Sequence, residues 1–341
     1  MRVLVARMDN LGDVLLAGPA VRAVAARADE VALLCGPRGR AAADLLPGVD
    51  RVLEWCAPWI DPDPGPVDPA EIARLTRMVR GFDRALIFTS FHQSPLPLAL
   101  VLRLAGVGWI GGISEDYPGS LLDLRLRLDG PGRGDIPETE RMLALAAEAG
   151  FPSPDGTRLR VREPLPDVSR LTGTPPGERG HVVVHPGTSV PARAWPAERC
   201  AEAVRLLAAA GHRVVVTGHR EEKDMTARVA GDVGVDLGGR TSLAELAAVL
   251  AGARVAVVAN TGPAHLAAAV DTPVVSLFAP TVPAARWAPY GVPTVLLGNQ
   301  NAPCKDTRAR VCPVPGHPCL SSVTGRHVVT AVQHLMEVAP R

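Results

Sequence analysis

Apolar residues fall in short unbroken runs, separated by longer stretches whose apolar positions recur at helical spacing. Residues 2–6 (RVLVA), 31–35 (VALLC), 51–54 and 85–89 (ALIFT) predict strands buried on both faces. Between and after them, residues 11–27, 38–46, 70–80, 96–105 and 137–150 predict helices. The stretch 58–69 (PWIDPDPGPVDP) holds too many prolines for either element and predicts a loop. Regular alternation of strand and helix predicts a parallel sheet covered by helices on both faces.

Residues 158–180 break this rhythm with several prolines and little periodicity, and predict a linker. The alternation then restarts. Strands are expected at 181–185 (HVVVH), 213–217 (RVVVT), 254–258 (RVAVV) and 273–278, with helices at 196–210, 221–231, 242–251, 263–270 and 325–338. The expectation is an α/β protein with two Rossmann-like, doubly wound domains facing each other across a cleft. They would span residues 1–157 and 181–323, and a helix over 324–341 could pack back on the first domain.

Composition narrows the class. The 341 residues are 47% hydrophobic and 21% charged, enough for two cores and too apolar for disorder. A net charge of +1 speaks against a broad nucleic-acid surface. No stretch is apolar and long enough to span a bilayer, and Arg7, Asp9 and Asp13 interrupt what would be a secretory signal, so a cytoplasmic protein is expected. Only Lys223 and Lys305 are lysines, so a cation in a site is expected to be an arginine.

Candidate chemistry lies beyond the carboxyl ends of the strands, where open α/β sheets bind ligands. Strand 2–6 runs into Arg7-Met8-Asp9-Asn10-Leu11-Gly12-Asp13. Asp13 reads as a helix N-cap, the commoner role for Asp at such a position, or as a general base. After strand 181–185, Gly187, Thr188, Ser189 and Arg193 form either a phosphate cradle or an ordinary polar loop. Asn260-Thr261-Gly262-Pro263 opens a helix whose free N–H groups suit an anion, with His265 a structural residue or a ligand contact. Glu221 and Glu222 follow strand 213–217 and read as ribose ligands or as helix-starting acids. These loops contain no metal triad, Walker loop or G-x-G-x-x-G.

Taken together, R-x-D-x-L-G-D (7–13), H-P-G-T-S…R-x-W-P (185–196), T-G…E-E (217–222), N-T-G-P-x-H-L-A-A-A (260–269), P-V-V-S-L-F-A-P-T (273–281) and R-W-x-P-Y-G (286–291) resemble glycosyltransferase family 9, the ADP-heptose-dependent heptosyltransferases of the GT-B fold. The resemblance keeps its order over nearly the whole chain. It implies an inverting, metal-independent transfer, with no cofactor beyond the nucleotide-sugar co-substrate. Asp13 would be the base and Arg193 would neutralise the leaving diphosphate. Gly187, Thr188, Ser189, Glu222, Asn260, Thr261, Gly262 and His265 would hold the donor in the second domain. Arg7, Asp9 and His92 would lie on the acceptor side, in the first. The acceptor would be a glycan, a lipid-linked sugar or a small metabolite, a lipid-linked one bringing peripheral membrane association. Many relatives carry aspartate where this chain has Asn260, which bears on whether the sugar is heptose.

Two features stand apart. Cys304, Cys312, His317 and Cys319 are chemically able to bind zinc but lack a close cysteine pair; free thiols or a disulfide are the alternatives. Trp55, Trp59, Phe91, His92 and Trp109 would line the acceptor side or belong to the core. Competing with transfer are a sugar-nucleotide epimerase in a similar fold and a nucleotide-sugar sensor; retention of Asp13 argues against the sensor.

Overall fold

Unbroken apolar runs become the central strands of two parallel sheets. The computed structural model describes residues 1–90, 92–128 and 135–338. The chain divides into two compact units, Met1–Arg162 and Glu163–Arg341.

The first sheet contains β1 (Arg2–Ala6), β2 (Glu30–Cys35), β3 (Arg51–Glu54), β4 (Arg84–Ile87), β5 (Trp109–Ile113) and β6 (Leu124–Leu126), in the order β3-β2-β1-β4-β5-β6. The second contains β7 (His181–His185), β8 (Val214–Val216), β9 (Val235–Asp236), β10 (Ala253–Ala259), β11 (Val274–Leu277) and β12 (Thr294–Leu297), in the order β12-β11-β10-β7-β8-β9. Every neighbouring pair runs parallel. The two orders are the same doubly wound topology, as the alternation predicts. In each, the first strand sits centrally and the winding reverses beside it, between β1 and β4 and between β7 and β10. That reversal opens a crevice where a ligand can bind. Val3, Leu4, Val5 and Ala6 of β1 are fully buried, which explains why the central strands lack polar alternation.

The outer strands β5, β6, β9 and β12 were not predicted from sequence. β5 carries Gly111 and Gly112, β9 has two residues and β6 three, and β12 is only half-buried. Short or edge strands leave little apolar signal, and in β5, which lies one strand in from the edge, the two glycines dilute it. The helix expected over 11–27 is two helices, Leu11–Leu16 and Gly18–Ala25. Pro19 cannot donate the N–H a continuous helix needs, and its ring would meet the Leu15 carbonyl.

The stretch between the periodic halves is docked at both ends. Arg162 N–H donates to the Leu45 carbonyl at 2.7 Å, with Leu159 and Val161 buried. Farther on, Thr174 Oγ1 bonds His181 Nδ1 at 2.9 Å. The last helix, Gly325–Val338, packs on the helix Ala197–Ala209 and buries Val328, Val332 and Leu335 in the second unit's core. No helix among the described residues is long and apolar enough to cross a membrane.

Candidate active site

In the first unit, β1 delivers Arg7 to the winding reversal. Arg7 is 0% exposed. Its Nη2 donates to Asp13 Oδ1 at 2.9 Å and to Ser90 Oγ, just beyond β4, at 2.9 Å. Its Nε lies 3.2 Å from Asp9 Oδ2, and Nη2 lies 3.7 Å from Glu138 Oε2. Burial works against the guanidinium charge, but Asp9, Asp13 and Glu138 overcome it and raise the pKa above the ordinary arginine value. Glu138 is itself buried and lies 3.3 Å from Arg141 Nε. Gln93 donates to Asp9 at 2.5 Å and accepts from Ser90 N–H at 3.0 Å.

Asp13 is the outermost of the three carboxylates around Arg7, with a side chain 18% exposed against 10% for Asp9 and 0% for Glu138. The N-cap reading fails: the cap of Leu11–Leu16 is Asn10, and Asp13 is the third residue of that helix. Its carboxylate turns back to Arg7 across the first turn. The buried guanidinium thus fixes an acid that still reaches solvent. His92 is exposed and, with Ser90, Gln93, Ser114 and Arg141, lines a polar pocket of about 250 Å³.

In the second unit, the loop after β7 meets the turn after β8. A methyl group on Gly187 would collide with the Glu222 carboxylate, so the missing side chain lets that carboxylate lie on the backbone. Glu222 also accepts the His219 N–H at 2.7 Å, so it starts its own turn while facing the Gly187 loop. Glu221 points away, 85% exposed and paired with His219. His185, the last residue of β7, shares a 3.0 Å hydrogen bond with Thr217 Oγ1. Burial lowers its pKa to about 4 despite the nearby Glu222, so its imidazole is neutral at pH 7.

Across the second winding reversal, Arg193 Nη1 donates to the Asn260 backbone carbonyl at 3.4 Å. Asn260 is buried, and its Nδ2 has no hydrogen-bond partner among the described residues. An amide donor in that position suits an external acceptor atom. Thr261 caps Gly262–Ala269 without a side-chain bond, and His265 is buried in that helix's first turn. Thr188 is half-buried and accepts the Val190 N–H at 3.3 Å, and Ser189 is exposed. The structure therefore brings Gly187 to Glu222, and Arg193 to Asn260.

A profile of glycosyltransferase family 9 (heptosyltransferase) matches residues 73–317. The chain belongs to this family. It is a glycosyltransferase. No curated protein sequence matches it. Solved structures share its fold. ADP-heptose LPS heptosyltransferase II of E. coli is 20% identical, with 99% of each chain covered and a TM-score of 0.74. The family 9 glycosyltransferase of Veillonella parvula is 17% identical over 99% of this chain and 97% of that one, TM-score 0.77. E. coli heptosyltransferase WaaC, solved with ADP-2-deoxy-2-fluoro heptose, is 22% identical over 98% and 99%, TM-score 0.69.

Within this glycosyltransferase the three cysteines of the zinc candidate lie beside one another, while His317 is engaged elsewhere. His317 Nε2 is bonded to the Ala192 carbonyl at 3.0 Å, and all three cysteines are free thiols. Among the described residues no group of three His, Cys, Asp or Glu side chains is arranged to hold a metal. Cys304 and Cys319 are buried, and burial, with Cys304 and Cys312 beside it, pushes the Cys319 thiol up to about 11. Of the aromatic candidates, Trp55 is core and meets Trp59 in a tilted contact with ring centroids 5.4 Å apart, Trp109 lies under Arg84, and Phe91 lies outside the described residues.

Sequence reasoning missed Ser90, Gln93, Glu138 and Arg141. Glu138 and Arg141 do leave a trace. They precede Met142 and Leu145 on the apolar face of the helix Glu138–Glu148, where charge is out of place unless paired.

Proposed function

We propose that this chain transfers heptose from ADP-heptose to an acceptor hydroxyl with inversion and without a metal ion, using Asp13 as the general base. The observation that carries the reading is the Arg7–Asp13 pair at the first sheet's winding reversal, an oriented carboxylate still open to solvent. The acceptor O–H gives its proton to Asp13 as the oxygen forms its bond to the anomeric carbon. The bond from that carbon to the diphosphate breaks, and the diphosphate leaves with the electron pair. Arg7 touches no substrate in this scheme and holds Asp13 in position.

Negative charge grows on the leaving group, so fixed donors there favour the transition state over the ground state. Arg193, the Gly187, Thr188 and Ser189 loop, and the start of Gly262–Ala269 at Thr261 supply such donors, the role a divalent cation plays elsewhere. Glu222 accepts from the ribose hydroxyls, and the unpartnered Asn260 amide donates to the donor sugar or phosphate. His265 lines the same helix start. The structures of WaaC with ADP and with an ADP-heptose analogue favour this donor. On the acceptor side, His92 and the polar pocket beside it suit a hydroxyl-rich glycan, lipid-linked sugar or small metabolite.

Calorimetry with ADP, UDP and GDP, followed by turnover of ADP-heptose, tests the reading. Selective binding of ADP is expected. Asp13→Ala should lower turnover by about 10²–10⁴-fold, the usual worth of a positioned base, and leave ADP affinity nearly unchanged. Transfer that survives Asp13→Ala at the unaltered rate would remove the mechanism. Selective binding of UDP or GDP would remove the assigned donor.

A further inference from the structure

Among the described residues the cysteine-rich segment forms no group arranged to hold a metal, and its polar contacts converge on one place. Ala192, in the short turn Pro191–Arg193, donates its N–H to the Arg310 carbonyl at 2.9 Å. The carbonyl of the same residue accepts from His317 Nε2 at 3.0 Å. Three positions on, Trp195 Nε1 donates to the Val323 carbonyl at 3.3 Å. Arg193 thus sits between two residues tied to the 304–323 segment.

That segment is itself fixed. Cys304, Cys319 and Leu320 belong to the same core cluster as Trp195. Asp306 N–H reaches the Pro280 carbonyl and Arg308 N–H the Thr281 carbonyl, at 2.8 and 2.7 Å. His317 adopts a left-handed backbone, φ 50°, and caps the helix Pro318–Ser321. Its Cα is therefore held, and its ring spans from that point to Ala192. Because a carbonyl only accepts, Nε2 carries the proton.

We propose that His317 is a positioning residue: it donates Nε2–H to the Ala192 carbonyl and so sets the turn that aims Arg193 at the donor diphosphate. The inference rests on the reading of Arg193 given above. Without this bond the buried Ala192 carbonyl loses a partner, and the turn can pivot about the Arg310 contact. The arginine would keep its charge and lose its aim, which matters most for a fork-shaped donor.

The test is ADP affinity by calorimetry on the full chain, with melting temperature as a control. His317→Asn tolerates the left-handed backbone but is too short to reach Ala192. His317→Gln places an N–H donor near the position of Nε2. We expect His317→Asn to weaken ADP about tenfold, and His317→Gln to restore affinity to within about threefold, the range of one hydrogen bond. In an Arg193→Ala background, His317→Asn should add less than about a twofold loss, because a residue acting through Arg193 has nothing left to position. Equal losses in both backgrounds, or unaltered ADP affinity in His317→Asn, overturn the proposal while leaving Arg193 as a diphosphate ligand. Should His317→Asn fail to fold, His317→Gly, which suits the left-handed backbone and lacks the donor, takes its place, and the proposal stands if its loss of ADP affinity disappears in the Arg193→Ala background and falls if the loss is equal in both. Unaltered ADP affinity in Arg193→Ala, or no ADP binding by the unaltered protein, overturns the donor-site reading and this inference with it.

Discussion

At the scale of single residues, the decisive groups are buried charges and one neutral imidazole. Arg7 compensates Asp9, Asp13 and Glu138 at once. Removing one partner of such a cluster costs more than the cluster gains, because uncompensated charge stays behind. Arg7→Met should destabilise the fold by about 3–5 kcal/mol and also abolish the orientation of Asp13. Urea denaturation checks the first effect; a variant as stable as the unaltered chain would show that the carboxylates need no cation. His185 gives a pH signature. Its folded pKa of about 4 lies below the usual 6.5, so the unfolded chain binds the proton more readily. The stability it preserves is fully present above pH 6.5 and is lost as pH falls towards 4. The loss reaches about 3 kcal/mol on the scale of 1.36 kcal/mol per unit. His185→Gln should flatten the stability profile in that window. An unchanged slope between pH 6.5 and 4 in the variant would mean that His185 is not the group being titrated.

At the scale of elements, loops were harder to read than strands because their partners are distant in sequence. The spacing C-x7-C-x4-H-x-C is compatible with a metal site, and only packing shows two of its thiols in the core and its histidine on Ala192. Thiol labelling of the native chain at pH 8 tests that packing. Cys56 is exposed and Cys312 partly so; Cys35 and Cys200 are buried thiols pushed up to about 12. Mass spectrometry should find Cys56 and Cys312 modified first. Cys35, Cys200, Cys304 and Cys319 should remain protected until denaturant is added. Labelling of Cys319 as fast as Cys56 would contradict the arrangement of the segment. The outer strands teach the same lesson: Gly111 and Gly112 weaken the local signal of β5, yet its pairing with β4 places it in the sheet.

At the scale of the whole molecule, two sheets of the same strand order each bring a charged group to the point where the winding reverses. Arg7 meets Ser90 there in the first unit, and Arg193 meets Asn260 there in the second. The sequence by itself determined the doubly wound class and the central strands, because burial on both faces demands unbroken aliphatic runs. It also determined which segments carry Asp13, Arg193, Glu222 and Asn260, since each segment follows on one of those runs. Only the tertiary structure decided which carboxylate is held and which is solvated, in Asp13 against Glu138 and in Glu222 against Glu221. It alone paired Arg7 with Glu138, and His317 with Ala192. The physical reason is range. Strand burial is written within a few neighbouring residues, whereas the orientation of a buried charge also depends on partners as distant in sequence as Glu138 is from Arg7, brought near only when the core closes.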